Sequence, residues 1–304
     1  MFLVGCSKDA NDANNEKVIA ELDFYSSKIT QLINSLNNIN LDNYELVSQN
    51  VANEQSQENL SKQNQSSSQK SESQSGGQSG KQSSGSDSQG GGNEQNLQVT
   101  GMQNDLIIGA NRDDINWDSL KKEIEIINNS WNITMLDLSD LNVPNDTITS
   151  FSNSLNACIL SIKNEDKNST ITNLNSMYSY IPQFLNNINS DKSKLNIETT
   201  KYYIFTTYTN VTQDDWNSAN ANIGNAERSF LSVLNDTEFS KNKEFKVNKT
   251  YLLIKDMQNS LTNNDKDLFY LKYKNLVESI TTLWKKWSSF ELHFFLVINF
   301  FVKH

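Results

Sequence analysis

The side chains able to do chemistry in this chain are few. Its two histidines, His293 and His304, both stand close to the C-terminus. Without a histidine base elsewhere, a serine or cysteine triad has no proton acceptor. No H-E-x-x-H, no C-x-x-C and no His/Cys pair at metal-ligand spacing occurs, which removes the common zinc and redox motifs. The glycines are concentrated in a Ser/Gln tract and form no phosphate-cradling loop. Of the two cysteines, Cys158 falls on an apolar helical register, where it reads as a small buried hydrophobe. The adjacent carboxylates Asp113-Asp114 and Asp214-Asp215 could hold a cation or act as an acid/base pair. Charge at a helix start, where the macrodipole favours it, is the simpler reading. The expectation is therefore a chain with no catalytic residues, no metal and no cofactor. Trp117 and Trp216 remain as candidates for an aromatic ligand contact, against their plainer role in packing.

The elements that must position these residues are helices. Val18, Leu22, Tyr25, Ile29, Leu32, Leu36 and Ile39 recur at alternating steps of four and three. The same rule connects Trp117, Leu120, Ile124, Ile127 and Trp131, then Ile148 to Ile162, then Ile171 to Ile188. It returns in Trp216 to Val233 and in Phe269 to Trp287. Each set lays one apolar stripe along a helix and suits packing between near-parallel helices. Weaker helices are expected over 194–210 and 247–261, although the β-prone "TTKYYIFTTYTNV" is locally ambiguous. Asn145-Asp146-Thr147 offers a helix cap, and Pro182 should kink or end its helix near Ile181. The fold class is all-α: an antiparallel bundle of about 7–8 helices.

Sliding the chain against itself aligns Trp117-Asp118-Ser119 with Trp216-Asn217-Ser218 at an offset of 99 residues. Asn164-Glu165-Asp166-Lys167 meets Asn263-Asn264-Asp265-Lys266 at the same offset, and the apolar positions follow without a gap. This reads as an internal duplication, with repeats at 113–186 and 212–287 inside a bundle spanning 113–287. The helix over 194–210 would then be the second copy of the first helix, which lies within 7–47 together with a short polar tether, Ser7–Asn14.

Between the first helix and the rest lies a Ser/Gln/Gly/Asn tract with almost no apolar residues. It cannot bury enough surface to offset ordering entropy, so 48–112 reads as a disordered insertion or linker. Such an insertion is tolerable because loop closure cost grows only logarithmically with length. The whole chain is acidic, with 36 Asp+Glu against 26 Lys+Arg and a formal charge of -10. Nucleic acid is excluded as a partner on that ground, since phosphate backbones need a basic face.

At the other extreme, "FELHFFLVINFFV" is an apolar run of about 13 residues, shorter than the ~20 that span a bilayer. The tail 288–304 reads as a buried end, an interfacial membrane segment or a product of frameshift.

Leu3-Val4-Gly5-Cys6 followed by Ser7-Lys8-Asp9 resembles the lipobox and mature N-terminus of Gram-positive lipoproteins. The helical, Asn/Lys-rich style of the rest is similar to lipoproteins of clostridia-like bacteria, a group without assigned active residues. The resemblance implies a diacyl lipid on Cys6, cleavage before it, and a signal remnant at 1–6. The basic and apolar regions that precede a lipobox are missing ahead of Leu3. The implied location is the outer face of the bacterial cytoplasmic membrane, or the cytoplasm if Met1 is the true start. The implied role is a surface lipoprotein whose non-catalytic bundle binds a partner or builds the envelope. The alternative is a solute- or peptide-binding sensor. Partners would be the membrane, through Cys6, and a protein, peptide or small molecule.

Overall fold

The computed structural model describes residues 7–39, 41, 46–47, 98–99 and 106–284. Cys6, Trp287, nearly all of the Ser/Gln/Gly tract and the tail 288–304 lie outside the described residues. Within 42–104 the described residues form a two-residue antiparallel ladder, β1 (Leu46–Val47) with β2 (Gln98–Val99), Leu46 opposite Val99.

The other unit is an all-α antiparallel bundle, as the periodicity predicts. It opens with α1 (Ser7–Ser35). Next come α2 (Trp117–Asp140), α3 (Asn145–Lys163), α4 (Lys167–Tyr178) and α5 (Tyr180–Asn187). After α6 (Lys192–Thr212) and α7 (Trp216–Leu234), the short α8 (Thr237–Lys241) leads to α9 (Glu244–Ser260) and α10 (Lys266–Thr281). The seven apolar positions of α1 from Val18 to Ile39 are all buried, as are Leu120 to Trp131, Ile148 to Ile162 and Ile171 to Ile188 on their registers. Trp117 and Trp216 are exceptions: each opens its helix and is only half-buried against the core.

The offset of 99 holds in three dimensions. α2, α3 and α4 begin at 117, 145 and 167; α7, α9 and α10 begin at 216, 244 and 266. In the first copy α1 packs on α2, α2 on α3, α3 on α4, and α4 back on α1. In the second, α6 packs on α7, α7 on α9, α9 on α10, and α10 back on α6. Two four-helix rings result, joined where α6 meets α1, α4 and α5. One of the two helices that the sequence leaves weaker, α6, thus holds in the second ring the place that α1 holds in the first, and it lies at their junction.

The segment "TTKYYIFTTYTNV" is helical because α6 is buried on nearly every side, so tertiary packing overrides its β propensity. Its threonines are accommodated by hydroxyls that donate back to the carbonyl four residues earlier, at Thr199, Thr200, Thr206, Thr207, Thr209 and Thr212.

Three inter-helix turns share one design. Glu165, Asp214 and Asn264 adopt left-handed backbone with φ of 57°, 62° and 51°. The aspartate that follows caps the next helix: Asp166 accepts from Ser169 N–H, Asp215 from Ser218 N–H and Asp265 from Leu268 N–H. Asn38, Asn142 and Asn189 take the same left-handed role after α1, α2 and α5. Asparagine here fills the position glycine commonly holds, because its short polar side chain tolerates that region.

Several expectations need correction. Residues 106–112 belong to the bundle, not to a linker reaching 112: Ile107 is buried and Arg112 is anchored on α10. Ser7–Asn14 is the start of α1 rather than a non-helical tether. Asp215 does cap a helix, but the equivalent of Asp215 is Asn116, which accepts from Ser119 N–H at 3.0 Å, and not the Asp113-Asp114 pair. Asn145-Asp146-Thr147 supplies no cap, since α3 begins at Asn145 behind Pro144 without a side-chain bond. Pro182 sits in the first turn of α5, where no N–H is needed, and the break falls at Ser179.

The repeated caps give matched variants. Asn116→Ala and Asp215→Ala should each lower unfolding free energy in urea by a similar amount, about 1 kcal/mol. A loss at one position and none at the other would break the equivalence of the two helix starts.

Candidate functional site

Two polar constellations stand out, one inside the bundle and one on its surface. The interior one lies where α1, α4 and α6 meet. Lys201 Nζ donates to Ser26 Oγ at 2.6 Å and approaches both Glu198 oxygens at 3.2 and 3.3 Å. Ser26 Oγ donates to Glu198 Oε2 at 2.8 Å, and the Tyr178 hydroxyl also donates to Oε2. One turn earlier, Lys194 pairs with Asp23 and lies 5.1 Å from the Trp284 ring centroid.

A lysine amine touching a serine hydroxyl is the geometry of a nucleophile with its base. Here, however, the serine proton is directed to a carboxylate and the ammonium is ion-paired to that carboxylate. Ser26, Tyr178, Glu198 and Lys201 are all buried, and none of them lines either surface groove described below. Burial pushes the Glu198 carboxyl up, but the ammonium groups of Lys201 and Lys194 and the hydroxyls of Tyr178 and Ser26 outweigh it and hold the group below its ordinary value. Tyr178 moves the other way, raised by burial and by the adjacent Glu198 charge. The cluster satisfies itself and ties the two rings together.

The surface constellation is a groove of about 380 Å³ where turns of both copies converge. Asn37 comes from the end of α1, Arg112 and Asp113 from the segment before α2, and Lys167 and Asn168 from the start of α4. Thr212 closes α6, and Lys266 and Tyr270 stand on the first turns of α10. Arg112 is held by four contacts: Asp267 Oδ1 at 2.7 Å, the Ile107 carbonyl, the Asn37 carbonyl at 3.3 Å, and the Tyr270 ring, whose centroid is 4.3 Å away. Gly109, at φ 71°, donates its N–H to the other Asp267 oxygen at 2.9 Å. Arg112 and this backbone bond hold the Asp267 carboxyl below its ordinary value.

The two repeated lysines behave alike. Lys167 Nζ donates to the Arg112 carbonyl at 2.6 Å with Asp113 at 3.6 Å. Lys266 Nζ donates to the Thr212 carbonyl at 3.3 Å and to Asp214 at 2.9 Å. Burial pushes the Lys167 ammonium down, Asp113 opposes this, and the neighbouring Arg112 and Lys266 charges add to the depression. A second groove of about 290 Å³, lined by Asn168, Ser169, Thr172, Asn173 and Gln213, adjoins the first through Asn168.

Trp117 and Trp216, the aromatic candidates from the sequence, line neither groove. Asp113 and Asp214 do meet the first groove or its lysines, but as ion-pair partners of lysine and not as a carboxylate pair. Cys158 is buried, and desolvation pushes its thiol up to about 12. Cys6 and both histidines lie outside the described residues. Among the described residues no cluster of His, Cys, Asp and Glu could hold a metal ion. The chain matches no protein-family model, no curated protein and no solved structure.

A third titrating group sits between α1 and α2. Lys17 bridges Asp137 at 2.7 Å and Glu21 at 3.8 Å, and Glu21 Oε2 is buried without a hydrogen-bond partner. Burial and the Asp137 charge push Glu21 up to about 7, against the pull of Thr134 and Lys17.

Two outcomes follow from these burials. Lys201→Met leaves Glu198 buried without its counter-ion and should cost about 3–5 kcal/mol in chemical denaturation, while Lys201→Met with Glu198→Leu should recover most of it. For Glu21 the folded value exceeds the unfolded 4.5, so the folded state binds the proton more tightly. Its contribution is full below the unfolded value and fades as pH rises through about 7. Glu21→Gln should therefore stabilise the protein by about 1 kcal/mol or more at mildly alkaline pH and have little effect below the unfolded value of 4.5, measured by urea unfolding at both. An equal gain at both would rule out Glu21 as the titrating group.

Proposed function

We propose that the protein is a non-catalytic binding module of a bacterial envelope, carried on the outer face of the cytoplasmic membrane by a diacyl lipid on Cys6. The observation that carries the binding half of this reading is the polar groove at the turn end of the bundle. It is concave, it draws residues from both copies, and its volume of about 380 Å³ falls in the range that holds small ligands. Catalysis is no part of the reading: among the described residues the serine–lysine contact of Ser26 with Lys201 is consumed by Glu198.

The alternative, a sensor that holds its ligand between helices, would use the half-buried Trp117 and Trp216. That space is taken by core side chains such as Leu120, Ile124, Ala219 and Ile223. Recognition at the turn end therefore accounts better for the structure than recognition between helices. Among the described residues no helix is long and apolar enough to cross a membrane; in this reading attachment comes from the acyl chains. Because α1 begins at Ser7, the residue after Cys6, such an anchor would hold the bundle close to the bilayer surface.

Labelling tests the anchor. Expressed from a reading frame extended upstream of Met1 in a Gram-positive host, the protein should incorporate radiolabelled palmitate, and Cys6→Ala should abolish the label. Absence of label in the parent, or its persistence in the variant, would remove the lipid from this reading.

A further inference from the structure

We propose that the groove between the two copies binds a compact, doubly charged oxyanion, a phosphate group either free or carried as a monoester. This rests on the binding reading above and names the chemistry of its ligand.

The first argument is where the charges sit. Arg112, Lys167 and Lys266 converge on one groove in a chain whose formal net charge is -10. Their carboxylate partners are placed unequally. Lys167 keeps only 22% of its side chain exposed, while its partner Asp113 is 94% exposed and 3.6 Å away. Asp214, the partner of Lys266, is 69% exposed. Asp113 lines the groove beside Lys167, and both it and Asp214 remain largely exposed. Exposed pairs of this kind contribute little, about 0–1 kcal/mol each. An incoming oxyanion can take the place of Asp113 and Asp214 at small cost.

The second argument is donor capacity. Each ammonium has three N–H donors. Lys167 commits one to the Arg112 carbonyl and leaves a long contact to Asp113. Lys266 commits donors to the Thr212 carbonyl and Asp214. Both can still donate into the groove. Arg112 is different, since its guanidinium is already held by Asp267, the Ile107 and Asn37 carbonyls and Tyr270. It supplies field rather than hydrogen bonds.

The third is the direction of approach. Lys167 and Lys266 open α4 and α10, helix starts whose backbone N–H groups are already capped by Asp166 and Asp265, so the two ammonium groups rather than the helix ends face the groove. Cations approaching from both copies suit a tetrahedral dianion, which accepts from several directions, better than a planar carboxylate. The crowding also appears in Lys167, whose ammonium is depressed partly by Arg112 and Lys266; a bound anion would relieve that repulsion.

The test uses the full chain and inorganic phosphate, followed by calorimetry at neutral pH and fixed ionic strength with chloride as the competing salt. Saturable binding is expected, weakened about tenfold or more in Lys167→Gln/Lys266→Gln, each lost charge-assisted contact contributing. Lys167→Arg/Lys266→Arg, which keeps both charges, should retain most of the affinity. Lys255→Gln, remote from the groove, should bind as the parent does. Circular dichroism establishes that each variant is folded. A parallel titration with glycerol 3-phosphate separates the sources: tighter binding than phosphate assigns a monoester, equal or weaker binding assigns the free ion. No saturable binding of either, or binding unchanged in the double Gln variant, overturns the proposal. Such a failure with palmitate labelling intact would remove the ligand and leave the anchored bundle standing.

Discussion

A helix enclosed on nearly every side has no face left for water, and α6 is in that position. It is the point where two rings of four helices touch, so whatever polar groups it carries must find partners inside the protein. It carries Lys194, Glu198 and Lys201 on one stripe and answers them with Asp23, Ser26 and Tyr178 from α1 and α4. Desolvating such ions costs several kcal/mol each, and apolar residues of the same volume would often pack as stably. What the ionic arrangement adds is register. Ser26 can meet both Glu198 and Lys201 at one relative position of α1 and α6, and a slip along either helix strands a buried charge. The same logic recurs farther along these helices, where Asn37 donates to Tyr208, Tyr208 donates to the Ile33 carbonyl, and Tyr273 from α10 donates to Asn34. The junction is a column of polar contacts between α1 and α6 with apolar rings on either side. The first ring is filled by Tyr25, Trp131, Phe151 and Phe184 in edge and tilted contacts, the second by residues such as Ile223, Phe230 and Leu276.

The architecture also accounts for the composition. Helices joined by short turns need a residue in left-handed backbone followed by a capping residue, and this chain meets that need with Asn and Asp. Asn264-Asp265 and Asp214-Asp215 each place one residue in the turn and the next on the cap; Glu165-Asp166 does so with a less suitable first residue. The paired aspartates that resemble a cation site are, in the second copy, one turn residue and one cap. Their meaning is conformational first: Asp214 reaches the groove through Lys266, while in the other pair Asp113 lines it beside Lys167.

Most of the fold was legible because helical periodicity reports burial directly. The stripes from Val18 to Ile39 and from Ile171 to Ile188 are core in the structure, and the 99-residue offset anticipates both the helix starts and the turns. What stayed hidden had a common cause. Lys194, Glu198 and Lys201 lie at the spacing of a solvated helix face, and a pattern of charges does not say whether another helix covers it. The signal was present in the flanking residues: Ile197, Thr200, Ile204, Phe205 and Tyr208 leave α6 with no polar face wide enough for solvent. Residues 106–112 were hidden differently. The apolar Leu106-Ile107-Ile108 does break with the tract before it, but the run is too short to carry a period, and the order of the segment comes from Arg112 reaching α10, a contact of 155 residues' separation that no local pattern encodes. Trp117 and Trp216 drew notice as large aromatics, yet their position at a helix start already implied partial burial against the first turn.

The groove is the least legible feature, and the 99-residue offset of the helix starts accounts for it best. Repeating a helix-turn-helix unit repeats its lysine, and closing two rings against each other brings the equivalent turns to the same end of the molecule. Lys167 and Lys266 therefore meet without any local sequence motif to announce them; each alone is an ordinary first-turn lysine, unfavourably placed for the macrodipole. A cation at a helix N-terminus is a small local penalty, and here it is present in both copies at the same offset. Asp113 answers it only from 3.6 Å and from a largely exposed position, and burial holds the Lys167 ammonium down. Two unfavourable placements converging on one concavity make a surface that gains more from an added anion than either turn would alone. In this protein the meeting of the two lysines arises from the matched arrangement of the two rings rather than from a motif in either half.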